Sequence, residues 1–273
     1  MSAAAPPTAD LVQFEIEGGV ARLTLDDPKA LNAVSMPMLR GIGAALDEIE
    51  KPANHVRCVL LTGAGGAFCA GANLAASDPG GVSGDDGQLD VGRVLDESYH
   101  PVLRRLRDLH CPLVVAVNGV AAGAGMSFAM MGDIVLAARS ASFVQAFVRR
   151  GLVPDCGSTF LLPRLVGFGR ALELAMRGQK ITAGQALEWG MVNHVFDDDE
   201  LMDEAQALVA ELAAGPTVAL GLIRRAYWAS RDNGFEEQLQ VERELQREAG
   251  RSQDFVEGVK SFLQKRPPEF TGH

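Results

Sequence analysis

The chain has 273 residues, of which 47% are hydrophobic and 22% are charged, with a formal net charge of −10 at pH 7. A chain of this length and composition can bury a complete core, which excludes extensive disorder. The chain has no dense block of lysine and arginine. Its negative charge therefore argues against binding to nucleic acid or to an anionic membrane.

The amino-terminal residues and the cysteines indicate a compartment. Residues 1–10 have neither the basic nor the apolar segment of a signal peptide, and no apolar run reaches membrane-spanning length. The spacing of the cysteines and histidines does not match a zinc site. Reduced, packed thiols are typical of cytoplasmic proteins, so we expect a cytoplasmic protein without a metal. The cysteines are Cys58, Cys69, Cys111 and Cys156.

The first half of the chain alternates strand and helix signals. Apolar and polar residues alternate over residues 12–16 and 20–25 around Gly18 and Gly19, which predicts a hairpin. Helical spacing of apolar residues predicts a helix over residues 36–49. Strand, turn and helix signals then repeat, which indicates an α/β fold. The further predicted strands cover residues 57–62, 112–117 and 134–138, and a further predicted helix covers residues 124–131.

Two turns rich in small residues lie about fifty positions apart, at residues 68–74 and 118–125. Small side chains leave main-chain N–H groups uncovered. Two such turns brought side by side can aim two donors at one oxygen, as in an oxyanion hole. The alternative is that glycine and alanine serve only tight turns and close packing. The residues of the two turns alone leave both interpretations open.

The remainder of the chain divides into a loop and a helical half. Residues 78–90 are rich in glycine and aspartate, which predicts a mobile loop and raises the hypothesis of a lid. From about Ser158 onward the chain is predicted to be almost wholly helical. We expect a core over residues 1–200 and a helical oligomerisation region over 201–273. The predicted helices cover residues 172–176, 183–189, 201–214, 218–230, 236–248 and 255–264.

Several motifs, in a fixed order, resemble the crotonase, or enoyl-CoA hydratase/isomerase, superfamily. The resemblance implies an α/β, crotonase-like (ClpP/crotonase) spiral of ββα units. It also implies a carboxy-terminal helical trimerisation region and a homotrimer or a dimer of trimers. The motifs are PKALNA at residues 28–33, FCAGAN at 68–73, NGVAAGAG at 118–125, GLVPD at 151–155 and residues 262–266.

The resemblance also implies a ligand and the residues that bind it. The ligand is an acyl-CoA thioester, so coenzyme A is part of the substrate and no separate cofactor is expected. The thioester carbonyl is implied to accept from the backbone N–H groups of Ala72 and Ala124. Ala75 stands where many members carry a lysine near the adenine. Further implied contacts with the substrate, the last two from an adjacent subunit, are Lys29, Ala30, Leu31, Ala33, Ala70, Gly71, Asn73, Leu74, Ser127, Phe147, Phe262 and Lys265.

The sequence departs from the family pattern at the catalytic positions. Family hydratases use two glutamates, and the matching positions here hold Ser127 and Phe147. Adding water to a double bond needs a proton donor and acceptor, work that paired carboxylates normally share, so hydration is disfavoured. Asp155 is retained, in a context that resembles epoxyphenylacetyl-CoA isomerases of phenylacetate breakdown and enoyl-CoA isomerases of fatty acid metabolism. In those enzymes an aspartate at this place is the acid/base.

The resulting hypothesis is an isomerase with Asp155 as its single acid/base, which shifts a double bond or isomerises a ring epoxide through a thioester enolate. Apolar walls formed by Phe147, Met126 and Phe128 are expected to raise the pKa of this carboxyl. A second hypothesis is a hydratase-like or catalytically weak member that binds CoA. A third hypothesis, a Rossmann oxidoreductase, is disfavoured because no GxGxxG motif follows the first strand.

Simpler roles compete at four positions. Asp155 precedes a predicted helix and is also a good helix cap. Ser127 could be a nucleophile by residue type, but the sequence around it lacks the GxSxG turn and indicates no neighbouring base. His100 and His110 belong to no cluster and are expected to have surface or packing roles.

Overall fold

The computed structural model describes residues 11–73, 84, 87–88 and 90–273. A single turn of π-helix, Leu95–Tyr99, joins the helices Val91–Val94 and His100–Arg107. The strands are β1 (Val12–Glu17), β2 (Val20–Leu25), β3 (Cys58–Gly63), β4 (Ala67–Cys69), β5 (Leu113–Val117), β6 (Val120–Ala122), β7 (Ile134–Ala138), β8 (Ser142–Val144), β9 (Lys180–Thr182) and β10 (His194–Phe196). The helices are α1 (Met36–Ile49), α2 (Val91–Val94), α3 (His100–Arg107), α4 (Ala124–Ala129), α5 (Ser158–Val166), α6 (Phe168–Arg177), α7 (Ala183–Glu188), α8 (Leu201–Ala214), α9 (Thr217–Ala229), α10 (Phe235–Ala249) and α11 (Gln253–Gln264).

The strands form two sheets. The larger sheet has the order β1-β2-β3-β5-β7-β10, and the smaller has the order β4-β6-β8-β9. In the larger sheet β1 and β2 are antiparallel and the remaining pairs are parallel. In the smaller sheet β4, β6 and β8 are parallel, and β9 is antiparallel to β8.

Consecutive strands divide between the two sheets. β3, β5 and β7 lie in the larger sheet, and the strands that follow them, β4, β6 and β8, lie in the smaller one. α4 follows β6, and α5 follows β8 after a 3-10 helix, Ala146–Arg150, and a short connection. This repetition is the spiral of ββα units that the sequence resemblance implies, and the predicted fold class is confirmed.

The core lies around the larger sheet. Every residue of β3 and of β5 is buried, as expected for parallel strands covered on both faces. α1 packs on β1 and β2 with its apolar stripe, and α8 packs on β3, β5 and β7. Because α8 contributes Leu201, Ala205 and Val209 to the main core, α8 is part of the packed body. The proposed boundary at residue 200 stays a prediction.

The structure corrects some of the predicted elements. The hairpin and α1 lie where the sequence predicts them, but the region after Ser158 also contains the strands β9 and β10. Each has only three residues, which is too short to produce a periodic signal. Residues 118–125 contain the strand β6, so their turn comes at Gly123. Most of the predicted loop at 78–90 lies outside the described residues.

Among the described residues no single helix is both long and apolar enough to cross a bilayer. α8 and α9 meet that length and composition only as a pair, and they are bent by 105° at the break between them.

Candidate active site

The two small-residue turns lie against each other. β4 and β6 are parallel neighbours with Cys69 opposite Ala121, so the chain leaves both strands at the same edge of the sheet. Gly71 has φ +99°, and a Cβ there would lie 2.8 Å from the Ala122 oxygen and 3.8 Å from the Ala124 nitrogen. The backbones therefore approach too closely for a side chain at Gly71, and the predicted pairing of the turns is observed.

A second glycine permits the same approach from the other turn. A Cβ on Gly125 would lie 2.1 Å from the carbonyl oxygen of Cys69, a distance that real Cβ atoms essentially never show. The start of α4 consequently rests on the end of β4, and glycine is required at this position.

The backbone N–H groups of Ala72 and Ala124 form a candidate oxyanion hole. The Val34 N–H donates to the Gly71 oxygen at 2.7 Å, and the Asn73 N–H donates to the Val34 oxygen at 2.8 Å. Because backbone groups alternate in extended chain, the Ala72 N–H points away from Val34. Ala124 is the first residue of α4, where an N–H has no partner within the helix. No carbonyl in the described part of the chain accepts from either group. A thioester oxygen between them stays a prediction.

Asp155 lies in a strained turn before α5. Cys156 adopts φ +53° and Gly157 φ +78°, and Gly157 is the residue that caps α5. No side chain caps this helix, so the alternative role of Asp155 as a helix cap is wrong. The main-chain oxygen of Asp155 accepts from the Ser158 N–H at 3.0 Å. Its carboxyl atom Oδ1 is buried without a hydrogen-bond partner, which is unusual for a polar atom and typical of a functional group.

Burial raises the pKa of the Asp155 carboxyl above its ordinary value, while the neighbouring Cys156 thiol and the charge of His100 oppose that rise. A raised pKa suits a group that must both take up and return a proton near neutrality. His100, expected to have a surface or packing role, therefore lies close enough to influence the carboxylate. It is the first residue of α3, and a lone histidine at a helix start gives no sequence signal for this role.

Ser127 and Phe147 occupy the positions where the family resemblance places glutamates. Ser127 is fully buried, and its hydroxyl is 3.3 Å from the Gly123 oxygen and 3.1 Å from the Asp155 oxygen. Both partners are carbonyls, which cannot act as a base toward a nucleophile. Phe147 is also buried, and its ring lies 3.8 Å from where a Cβ on Gly123 would be. The two residues thus surround the second turn with packing rather than with acid groups.

The predicted CoA-binding loop is anchored by Asn32. This buried side chain accepts from the Asp27 N–H at 2.8 Å and donates to the oxygens of Ala64 and Ala67 at 2.9 and 2.8 Å. Asn32 itself adopts φ +56°, which asparagine tolerates well. The loop is thereby fixed against the connection from β3 to β4. It carries the predicted ligand contacts Lys29, Ala30, Leu31 and Ala33.

The loop and the first turn meet directly. The Ala70 N–H donates to the Leu31 oxygen at 3.0 Å, while the Leu31 side chain is 51% exposed and available to a ligand. Beyond Ala70 the chain continues through the buried Gly71 and the exposed Ala72 to the half-buried Asn73. The predicted contact Leu74, like Ala75, lies outside the described residues. The structure thus brings together the predicted contacts from residues 29–33 and 70–73.

The two carboxy-terminal contacts lie elsewhere. Phe262 is on α11 with 81% of its surface exposed, and Lys265 follows the helix with φ +53°. No hydrogen bond or ion pair of the described residues connects either side chain to the two turns. Their contact with CoA across a subunit boundary stays a prediction.

A cavity of about 1040 Å³ adjoins the site between α3, α5 and α9. It meets the turn after Asp155 at Cys156 and Gly157, and its walls include His100, Phe160 and Trp228. Ala72 and Ala124 do not line it, so the cavity lies behind the turn rather than over the hole. Within the described ranges no three His, Cys, Asp or Glu side chains are grouped as metal ligands.

The spiral of ββα units, with paired backbone donors and a partly buried carboxylate, defines an enzyme of the crotonase class. The chain belongs to the Enoyl-CoA hydratase/isomerase family, whose sequence model matches residues 15–273. It is 47% identical over 265 residues to the 1,2-epoxyphenylacetyl-CoA isomerase of Escherichia coli, covering 96% of this chain and 99% of that protein. The family predicted from the motifs is confirmed.

Two further comparisons agree. The chain is 35% identical to the short-chain-enoyl-CoA hydratase of Clostridium acetobutylicum over 94% of its own length and 96% of that protein. The crystal structure of an enoyl-CoA hydratase from Bacillus anthracis superposes with a TM-score of 0.88 at 28% identity, covering 97% of this chain and all of the other. These relatives support a general acyl-CoA hydratase or isomerase activity.

Proposed function

We propose that the protein is an acyl-CoA isomerase in which Asp155 is the single acid/base. The observation that carries this proposal is the Asp155 carboxyl itself: Oδ1 is buried and unpartnered, while a serine and a phenylalanine hold the positions of the hydratase glutamates. One such group is sufficient to move a proton between two carbons, whereas hydration needs a second acid or base. Coenzyme A belongs to the substrate, and no resident cofactor is required.

The proposed reaction conserves atoms and charge. The thioester oxygen accepts hydrogen bonds from the N–H groups of Ala72 and Ala124. Asp155 removes a proton from an acyl carbon, and the electron pair moves onto the thioester oxygen as an enolate. The two N–H donors stabilise that developing charge, an effect worth about 10²–10³ in rate per donor. Asp155 then returns the proton to another carbon, so substrate and product have the same composition.

Two acyl classes fit this chemistry. A straight 3-enoyl chain undergoes movement of its double bond. In an aromatic-ring epoxide the enolate electrons form a double bond from the acyl carbon to the ring, the C–C bond of the epoxide breaks so that the ring expands around the oxygen, and the proton returns to a ring carbon. The name of the Escherichia coli relative favours the ring epoxide, and with it a role in phenylacetate breakdown. The apolar surroundings provided by Phe147 suit a flat ring as well as a chain.

We also propose a homotrimer, or a dimer of trimers, assembled through the helical region 201–273. Exposed aromatic side chains on three helices of this region support a surface that other subunits cover, because a large area of exposed apolar side chains is typical of an interaction site. Sedimentation should give a mass of three or six chains. The aromatic residues are Tyr227 at 73% exposure, Phe235 at 75% and Phe262 at 81%.

Hydrogen exchange in heavy water tests the proposed role of Asp155. The wild type should exchange acyl C–H protons of a bound thioester, and Asp155→Asn should lose exchange and isomerisation together. Asp199→Asn, which removes an exposed carboxylate, should retain both. Isomerisation that survives in Asp155→Asn would rule out this residue as the base.

A turnover screen separates the proposed reaction from its alternatives. The substrates are a ring-epoxide phenylacetyl-CoA, a cis and a trans 3-enoyl-CoA and a trans 2-enoyl-CoA. Isomerisation of the first three without hydration of the last is expected. Hydration of the 2-enoyl-CoA would favour a hydratase, and tight binding of every thioester without turnover would favour a catalytically weak CoA-binding protein.

A further inference from the structure

The hydroxyl of Tyr99 is a buried donor with a poor partner. Tyr99 ends the π-helical turn before α3, and only 7% of its surface is exposed. Its Oη is 3.5 Å from the Val34 oxygen, well beyond the ordinary length of about 2.7–2.8 Å for a hydroxyl hydrogen bond. That oxygen already accepts from the Asn73 N–H at 2.8 Å. The hydroxyl is therefore close to unsatisfied, a costly state for a buried donor.

Val34 places this hydroxyl beside the candidate oxyanion hole. Val34 is the bridge partner of Ala72, and its N–H holds the Gly71 oxygen. Tyr99 thus contacts the same backbone segment that orients one of the two hole donors. π-helical turns often occur at functional sites, because the extra residue redirects a side chain.

Asp155 influences the same hydroxyl electrostatically. Burial raises the pKa of Tyr99, and Cys156 and Asp155 raise it further. The turn that carries Asp155 is itself joined to α4, which begins at Ala124, by the hydroxyl of Ser127 at 3.1 Å from the Asp155 oxygen. Oδ1 of Asp155 is itself buried and without a partner. The structure thus has a donor with only one long hydrogen bond and a buried acceptor atom without a partner, each connected to a segment that forms the hole. The thioester oxygen already has two donors, so the hydroxyl is available for a different atom of the ligand.

We propose that the Tyr99 hydroxyl donates a hydrogen bond to a second oxygen, carried by the acyl group near its reacting carbons, and that it selects oxygen-bearing acyl thioesters over hydrocarbon ones. A hydrocarbon enoyl chain leaves the buried hydroxyl unpaired, and a site that pairs a substrate oxygen discriminates against the analogue without it. This inference rests on the proposed function and adds a specificity-determining residue to it.

Binding of three ligands tests the proposal without requiring turnover. The ligands are 2-hydroxyphenylacetyl-CoA, 2-methylphenylacetyl-CoA and phenylacetyl-CoA, and the proteins are the wild type, Tyr99→Phe and Tyr227→Phe. Tyr227, 73% exposed, is the other tyrosine of the chain and the matched control. The hydroxyl and methyl ligands have nearly the same size, so the wild type alone already separates an oxygen contact from a packing contact.

Calorimetry should show that the wild type and Tyr227→Phe bind the hydroxyl ligand about five- to tenfold more tightly than the methyl ligand. Tyr99→Phe should bind both equally and keep its affinity for phenylacetyl-CoA. No preference in the wild type, or a preference that survives in Tyr99→Phe, overturns the role of Tyr99. Failure of the wild type to bind any of the thioesters contradicts the proposed function itself.

Discussion

The hydroxyl of Ser127 donates to the main-chain oxygen of Asp155 across 3.1 Å. This bond joins α4, whose first residue is Ala124, to the turn that carries the carboxyl. The position that holds a glutamate in family hydratases is thus occupied by a residue that orients Asp155 through its backbone.

Ser127→Ala tests this positioning role. Loss of the bond should loosen the turn, lower kcat about three- to tenfold and leave KM within about twofold, since the acid/base and not the CoA contacts is displaced. Steady-state kinetics on the preferred substrate measures both constants. Ser230→Ala removes a hydroxyl bond to the Tyr227 oxygen in the helical region and should change neither. A rise in KM with unchanged kcat would show that Ser127 contacts the substrate instead.

Gly71→Ala should disrupt the oxyanion hole. A Cβ would lie 2.8 Å from the Ala122 oxygen at a residue with φ +99°, so the two turns must separate. We expect the rate to fall about 10²–10³-fold and the free energy of unfolding to fall by about 1–3 kcal/mol. Initial rates and urea unfolding measure the two effects.

The control for this substitution is Gly43→Ala. Gly43 lies inside α1, and a Cβ there meets nothing within 4 Å. Alanine should raise the free energy of unfolding by about 0.5–1 kcal/mol without affecting the rate. A Gly71→Ala enzyme that folds and retains wild-type turnover would show that the hole lies elsewhere.

The pH dependence of activity should reveal the environment of Asp155. Because burial raises the pKa of this carboxyl above its ordinary 3.8, the acid limb of kcat/KM should have its midpoint above that value. Asp155→Asn should lose this limb together with the activity. An acid limb centred at an ordinary carboxyl pKa would contradict a desolvated base.

The stability of the fold should also depend on the protonation of Asp155. Activity should rise as this carboxyl loses its proton, whereas the contribution of the carboxyl to stability should fall. A carboxyl whose pKa is raised by folding favours the folded state while it is protonated, and this contribution is lost as pH rises through the folded-state pKa. Asp155→Asn should therefore gain melting temperature relative to the wild type as pH rises from below 3.8 toward neutrality. Thermal melts across this range measure the difference, and Asp199→Asn should show no such trend. A gain that shrinks as pH rises would contradict the argument.

Much of the architecture follows from local patterns. Alternation over β2 and helical spacing over α1 are long enough to predict both elements, and the family motifs predict the spiral. β9 and β10 escape prediction because three residues carry no period, and their pairing with β8 and β7 supplies what the local sequence lacks.

The candidate site also has features that the sequence predicts and features that it does not. The small residues at Gly71 and Gly125 are enough to predict close backbone contact, and the backbones do approach closely at both positions. The spacing alone does not decide whether Asp155 caps α5. In the structure Gly157, in a left-handed conformation, is the N-cap residue of this helix. Tyr99 gives no signal at all, since its position depends on the π-helical turn and on a carbonyl from a distant residue, Val34.

A buried ion pair, Arg224 with Asp133, ties the helical region to the core. The Arg224 side chain is 4% exposed, and its guanidinium also donates to carbonyl oxygens at the end of α3, those of Leu106, Arg107 and Leu109. These bonds hold α9 against the helix whose other end carries His100 and follows Tyr99.

Arg224→Met should therefore cost about 3–5 kcal/mol of unfolding free energy, because the Asp133 carboxylate then loses its cationic partner and retains the Leu113 N–H, while the helix-end carbonyls lose the guanidinium. The neighbouring Arg225 is 68% exposed and 3.6 Å from Glu248, so Arg225→Met is the matched control and should cost at most about 1 kcal/mol. Urea unfolding of both variants gives the comparison. If the two midpoints agree, the buried pair does not stabilise the junction of α9 with the core. If only Arg224→Met unfolds early, the network at the end of α3 is what holds α9 in place.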